Sequence, residues 1–259
     1  MSTNKKTVDW YNANAKLYTE HVRNAYDSIY HAYYEKPAMY AILPDLSGKH
    51  VLSLGCGSGE DTQYLLSKGA TKSVGIDISA ELINIASTSY PECVFSVMDM
   101  EHLDFPDASF DFVYSSLAIH YIEDWSTVFN EVYRLLKPGS FFLFSCGHPI
   151  RTAMDVTENT ETIKLRQLSV RQNKMLKTVE IYGNYLECRS ITDALPEGVV
   201  TTWHKPISEI MNEAKQAGFL LETFVEPQPL KEMEAISKYN YDRLVKIPEF
   251  MIMRMVKHA

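Results

Sequence analysis

No apolar run in the 259-residue chain approaches the ~20 residues that a membrane-spanning helix requires. The opening segment, Met-Ser-Thr-Asn-Lys-Lys-Thr-Val-Asp-Trp, has no apolar signal core. Cysteine is sparse: Cys56, Cys93, Cys146 and Cys188 are scattered, without metal-ligand or redox spacing. These absences predict a cytoplasmic protein in a reducing compartment, with no membrane span. Basic residues are outnumbered, 25 Lys and Arg against 33 Asp and Glu, for a net charge of −8. That excludes the basic footprint a nucleic-acid partner demands. The eight histidines are too dispersed to imply a metal site, and no internal repeat or low-complexity tract is present.

Hydrophobic residues make up 46% of the chain, enough for a sizeable core, and the length falls between one and two domains. Apolar periodicity predicts helix over 7–43, with Trp10, Tyr11, Ala15, Tyr18, Val22, Ala25 and Tyr26 recurring at spacings of three and four. Pro37 opens a further helix there. Strands are predicted at 50–54, 72–77, 93–98, 110–115 and 140–146. Helices alternate with them at 58–68, 79–88 and 124–136, the last ended by Lys137-Pro138-Gly139. Residues 148–204 break the rhythm with a polar stretch whose alternation around Gly183-Asn184 predicts a hairpin. A helix at 206–217, a strand at 219–225, a helix at 230–244 and a strand at 249–256 complete the pattern. Alternating strands and helices imply an α/β fold, Rossmann-like and doubly wound, with a mostly parallel sheet and helices on both faces. The chain then reads as one domain, 1–259. It comprises an N-terminal helical cover (1–43), a ligand-binding core (44–147), an inserted lid segment (148–204) and a C-terminal completion of the core (205–259).

Residues 51–59 read Val-Leu-Ser-Leu-Gly-Cys-Gly-Ser-Gly, and the next strand closes on Asp77, 22 residues after Gly55. A strand, a glycine turn, a helix and a second strand ending in a carboxylate form the signature of a ribose-binding βαβ unit. A dinucleotide fingerprint wants its third glycine at position 60, which is Glu; Asp61 follows. Those acids repel a pyrophosphate, and no phosphate-loop Lys or Ser/Thr compensates. A nucleoside cofactor without phosphate fits better, and S-adenosylmethionine is one.

The chain resembles the class I S-adenosylmethionine-dependent methyltransferases through five blocks in the family's order. They are Val51–Gly59, Gly75-Ile76-Asp77-Ile78, Asp99-Met100, Asp107–Tyr114 and Leu135–Gly139 before Ser140–Ser145. The nearest flavour is the small-molecule group that includes quinone-biosynthesis-like enzymes. The resemblance implies a seven-stranded sheet and a methyl group passed in line to a small-molecule acceptor. It departs from the family at Ser53, where an acid usually helps to hold the methionine ammonium.

Gly55, Gly57 and Gly59 give close backbone approach to the cofactor, or merely a tight turn; Cys56 between them contributes its backbone. Asp77 accepts the ribose hydroxyls, with Ile78 against adenine, or else only caps the following helix. The resemblance assigns the adenine amino group and ring edge to Asp99 and Met100; the alternative is a surface acid in a polar stretch. Ser115 and Ser116 end the fourth strand, where relatives touch the methionine portion; the alternative is an ordinary strand end. Tyr11 and Tyr18 share a helical face that either closes over the cofactor or packs as an ordinary apolar stripe. His120 and His148 follow strands at the ligand edge and are the candidate general bases, with His204 behind them; each is equally a structural histidine. Two other functions stay open: a nicotinamide-dependent oxidoreductase and a non-catalytic protein that binds the cofactor.

Overall fold

The computed structural model describes residues 3–158, 164–173, 175, 178–195 and 198–258. The N-terminal region holds α1 (Lys5–Ala13) and α2 (Ala15–Arg23), then a π-helical turn (His31–Glu35) leading into α3 (Lys36–Ala41). The core alternates β1 (His50–Leu54), α4 (Glu60–Ser67), β2 (Lys72–Asp77), α5 (Ala80–Ser89) and β3 (Val94–Val97). It continues with β4 (Phe110–Ser115), α6 (Trp125–Leu135) and β5 (Leu136–Gly147). The inserted region has the one-turn α7 (Pro149–Thr152) and three antiparallel pairs. These are β6 (Asp155–Glu158) with β7 (Lys164–Gln167), β8 (Ser169–Asn173) with β9 (Thr178–Tyr182), and β10 (Arg189–Leu195) with β11 (Gly198–His204). Completing the chain are α8 (Ile207–Gln216), β12 (Phe219–Val225), α9 (Glu232–Ile236), α10 (Lys238–Leu244) and β13 (Phe250–Lys257).

The main sheet runs β12-β13-β5-β4-β1-β2-β3. Pairs among β1 to β5 are parallel, while β13 is antiparallel to both β5 and β12. This is the mostly parallel, doubly wound arrangement that the alternation implies, with the seven strands that the family resemblance implies. Successive strand residues point to opposite faces. Leu52, Leu54, Val113, Phe142 and Phe144 therefore join the core beneath α6 and α8, while Val51, Phe112, Tyr114 and Leu143 meet Met39 and Leu65 on the other side.

Two breaks in the predicted helices are set by a local polar group. The long N-terminal helix breaks at Asn14, whose amide side chain and backbone N–H both donate to the Trp10 carbonyl. The 230–244 helix divides at Ser237, whose hydroxyl accepts the Asn240 N–H and starts a new turn. Lys137, Pro138 and Gly139 follow α6 but lie within β5, where the pairing with β4 shifts register between Phe110 and Phe112. The expected hairpin around Gly183-Asn184 is displaced. The β8–β9 pair runs from Ser169 opposite Tyr182 to Asn173 opposite Thr178, so those two residues follow the hairpin.

Phe129 is fully buried at the centre of the larger core and touches the rings of Trp125, Phe142, Phe144 and Phe219. Phe129→Ala is expected to remove about 3–5 kcal/mol of unfolding free energy, read as a lower urea midpoint at unchanged slope.

Candidate functional site

The site grows from two turns at the carboxyl ends of β1 and β2. Gly57 sits at φ 54°, a left-handed conformation that suits glycine and turns its N–H toward the next crossover. Asp77 Oδ2 accepts that N–H at 2.9 Å, and Asp77 Oδ1 accepts the Ser79 N–H at 2.9 Å. Burial raises the pKa of this carboxyl while the backbone donors oppose the rise. A carboxylate has about four acceptor positions; two are used, which leaves room for a pair of hydroxyls. Asp99 likewise has one oxygen held by the Glu101 N–H at 3.0 Å.

A cleft of about 680 Å³, counted with its open mouth, lies over these turns. Gly55, Gly57, Asp77, Ile78, Asp99 and Met100 line it together with Tyr11 and Tyr18. A Cβ on Gly57 would meet nothing tighter than a Tyr18 ring carbon at 3.4 Å, so the turn's backbone faces the cleft. Leu82 and Met98 supply further apolar wall. Acceptors for hydroxyls, a second carboxylate and an apolar slot together suit an adenosine and offer no pyrophosphate site. Among the described residues, no group of three or more His, Cys, Asp or Glu could hold a metal ion, and no helix is long and apolar enough to cross a membrane.

A second, wider cleft of about 1420 Å³ shares Tyr11, Tyr18, Gly55, Gly57 and Ser116 with the first. Between them stands an aromatic partition. The Tyr11 and Tyr121 hydroxyls are 2.7 Å apart, and the Tyr11 ring meets Tyr18 and Tyr121 edge-on. Burial drives the Tyr11 and Tyr18 phenols well above their ordinary pKa, so both stay protonated. Tyr11 of the partition belongs to α1, which is tied down at three points. Asn12 Oδ1 accepts from the Ser79 hydroxyl at 2.8 Å, Thr7 Oγ1 accepts the Thr201 N–H at 3.0 Å, and Trp10 packs against Gly198. Arg23 of α2 reaches Glu60 and Ser89.

Several expected site residues lie elsewhere. Gly59 lines neither cleft: at φ 93° its α-carbon is closed in by Phe95, Ala86 and Tyr90, so it permits close packing of α4 and not approach of a ligand. Ser115 is fully buried with its hydroxyl on the Leu54 carbonyl; its neighbour Ser116, just past the end of β4, faces both clefts. Cys56 borders the second cleft; its N–H is spent on the Ile76 carbonyl, and burial pushes its thiol well above the ordinary range. His148 is fully buried outside both clefts. Its Nδ1 accepts the Ile150 N–H and its Nε2 faces Glu226 at 3.0 Å, so it caps α7 and has no nitrogen left for catalysis. His204 is bound by Thr152 and the Tyr185 carbonyl. His120 does border the second cleft, and its buried Nδ1 has no hydrogen-bond partner.

Three contributors carry no motif. Glu35, fully buried in the π-helical turn, accepts the Ser116 and Ser145 hydroxyls, and Ser145 Oγ in turn accepts the Leu117 N–H. It thereby holds the Ser116–Leu117 segment, where Leu117 stands at φ 48°. Burial raises this carboxyl too. His31, on the same turn, lines the second cleft with an unpartnered Nδ1. Tyr121 completes the partition. A lone acid amid the apolar 29–42 stretch was the available signal for Glu35; for His31 there was none.

Fold and cleft define an adenosine-binding α/β protein of the methyltransferase type. Residues 52–144 match the methyltransferase domain family. An uncharacterized protein of Haemophilus influenzae is 31% identical over 202 residues, covering 74% of this chain and 76% of that one. Phosphoethanolamine N-methyltransferase 1 of Arabidopsis thaliana is 30% identical over 207 residues, 76% of this chain but 38% of that enzyme. A solved S-adenosylmethionine-dependent methyltransferase from Mesorhizobium loti superposes with a TM-score of 0.72 at 26% identity, covering 89% of this chain and 99% of that one. The chain belongs to the class I S-adenosylmethionine-dependent methyltransferases, with S-adenosylmethionine as its cofactor.

Asp77→Ala removes an acceptor for two hydroxyls, each such bond to a charged group contributing about 1.5–3 kcal/mol. Calorimetric affinity for S-adenosylhomocysteine is expected to fall about 100-fold or more. A second expectation concerns acid. Burial lowers His31 and His120 to about 4. Their neutral rings favour the folded state above the ordinary histidine pKa, and that advantage is lost as pH falls through the interval from 6.5 to about 4. Glu35 and Asp77, raised by burial, have the opposite sign: their contribution is present in acid and lost as pH rises. The difference in urea-unfolding free energy between wild type and His120→Asn isolates one histidine. Wild type should lose about 2–3 kcal/mol relative to that variant between neutral pH and pH about 4.

Proposed function

We propose that the chain methylates a small molecule seated in the second cleft, at the partition that cleft shares with the cofactor cleft. The shared wall of Tyr11, Tyr18, Gly55, Gly57 and Ser116 is the observation that carries this reading. Two sites with one wall let donor and acceptor meet, and proximity is the main demand of such a transfer. When bound, the cofactor supplies an electrophilic methyl group on a sulfonium. Asp77, Ile78, Asp99 and Met100 hold its adenosine end, and Gly55, Gly57 and Tyr18 border the remainder. The missing acid at Ser53 has no substitute among the cleft residues other than Asp77 and Asp99.

His120, which borders this cleft with one nitrogen unpaired, serves in this reading as the proton acceptor when the substrate atom must lose a proton. Residues 1–43 and the 148–204 insertion act as the water-excluding cover, which the attachment of β11 to α1 supports. The small size of the acceptor is supported by the phosphoethanolamine specificity in the name of the Arabidopsis relative. A cytoplasmic setting belongs to the same reading and is supported by four free cysteines, three of them buried.

An acceptor screen scored by S-adenosylhomocysteine release tests the function. Turnover is expected with at least one small acceptor and is abolished in Asp77→Ala. With a hydroxyl acceptor, His120→Ala should lower kcat about 10²–10⁴-fold with little change in KM. Cofactor binding with no release of S-adenosylhomocysteine from any acceptor would instead mark a non-catalytic binder.

A further inference from the structure

The wall of the second cleft carries one ammonium, Lys36, and four carboxylates, Asp27, Glu60, Asp61 and Glu249. Each of these groups is already engaged within the protein. Lys36 Nζ lies 2.5 and 2.6 Å from the two Asp61 oxygens, and the Tyr40 hydroxyl donates to the same carboxylate at 2.7 Å. Glu60 is held by Arg23 and the Ser58 hydroxyl, Glu249 by Arg151 and Arg243, and Asp27 by the Asn24 amide. An anion entering here meets an excess of carboxylates. To gain Lys36 it would have to strip a nearly buried Asp61 of its counter-ion, the costliest way to break an ion pair.

The cleft's unpaired hydrogen-bonding groups are of another kind. His31 and His120 both border it, both have a buried Nδ1 without a partner, and both stay uncharged at neutral pH. A neutral imidazole can donate at one nitrogen and accept at the other. Tyr30, Tyr121 and Phe250 add aromatic surface.

We propose that the second cleft takes an uncharged, ring-bearing acceptor with a hydroxyl or amino group, and rejects phosphomonoesters. This rests on the reading that the second cleft is the acceptor site, and it separates this chain from the phosphoethanolamine specificity in the name of its Arabidopsis relative.

The test is calorimetry on the full chain loaded with S-adenosylhomocysteine. Phenol, catechol and aminophenol are titrated beside phosphoethanolamine and inorganic phosphate. At least one of the neutral ring compounds should bind about 100-fold more tightly than either phosphate. Equal or tighter binding of a phosphate, or no binding of any neutral compound to the loaded protein, overturns the inference while leaving cofactor binding intact. Failure to take up S-adenosylhomocysteine at all would overturn the proposed function and this inference together. Asp61→Asn gives a second arm. It leaves Lys36 without its counter-ion and should raise affinity for phosphoethanolamine at least about 10-fold; an unchanged affinity shows that the Lys36–Asp61 pair does not govern the cleft's selectivity, and overturns the argument.

Discussion

A carboxylate sunk between two turns must be met by donors, and in this protein the donors are backbone. Asp77 takes the N–H of Gly57 from one crossover and the N–H of Ser79 from the next. Burial works against its charge, and the oriented amides offset that cost. The pairing sets the distance between the glycine turn and the second strand, and the first cleft exists because that distance is held. The same Ser79 uses its hydroxyl to cap α5 and to bind Asn12 of α1. The cover is therefore fastened to the turn that forms the floor.

The cover explains how one open sheet edge becomes two compartments. Without α1 and α2, the carboxyl ends of β1, β2 and β4 would form a single trough. Tyr11 and Tyr18 descend from the cover and Tyr121 rises from the segment after β4; the Tyr11–Tyr121 hydroxyl contact joins them. Three rings packed edge-on make a wall that is apolar in bulk yet hydrogen-bonded at its tip. Glu35 and Ser145 brace the same wall from below, through Ser116 and the Leu117 amide.

Much of the core was legible because its signals are local. β1, β2, β4 and β12 stand at the residues their apolar runs mark, and Ser79 caps α5 where the 79–88 helix is predicted to begin. The breaks were less legible. Asn14 and Ser237 interrupt helices through single side-chain bonds that periodicity does not register, and the inserted segment lacks a strong period. Within the site, Gly59 and Ser115 show the limit most clearly. Both sit in or beside the right motif, but which side of a backbone faces a ligand depends on what packs against the other side. For Gly59 that is Phe95, Ala86 and Tyr90; for Ser115 it is the Leu54 carbonyl.

The histidines make the same point in chemical terms. His120 and His148 each follow a predicted strand end, and His204 precedes the predicted 206–217 helix; sequence does not tell their roles apart. Glu226 and the Ile150 amide occupy His148, Thr152 and Tyr185 occupy His204, and His120 keeps a nitrogen free. From its sequence alone the chain was committed to a parallel sheet, a glycine turn after the first strand and a carboxylate closing the second, because each depends on residues within one βαβ unit. Tertiary structure alone decided the partition between the clefts, the support of Glu35, the availability of His31 and His120, and the locking of Lys36 onto Asp61. Those depend on groups up to 110 residues apart, as Tyr11 and Tyr121 are, and contacts of that range are set by how layers pack, which no local pattern encodes.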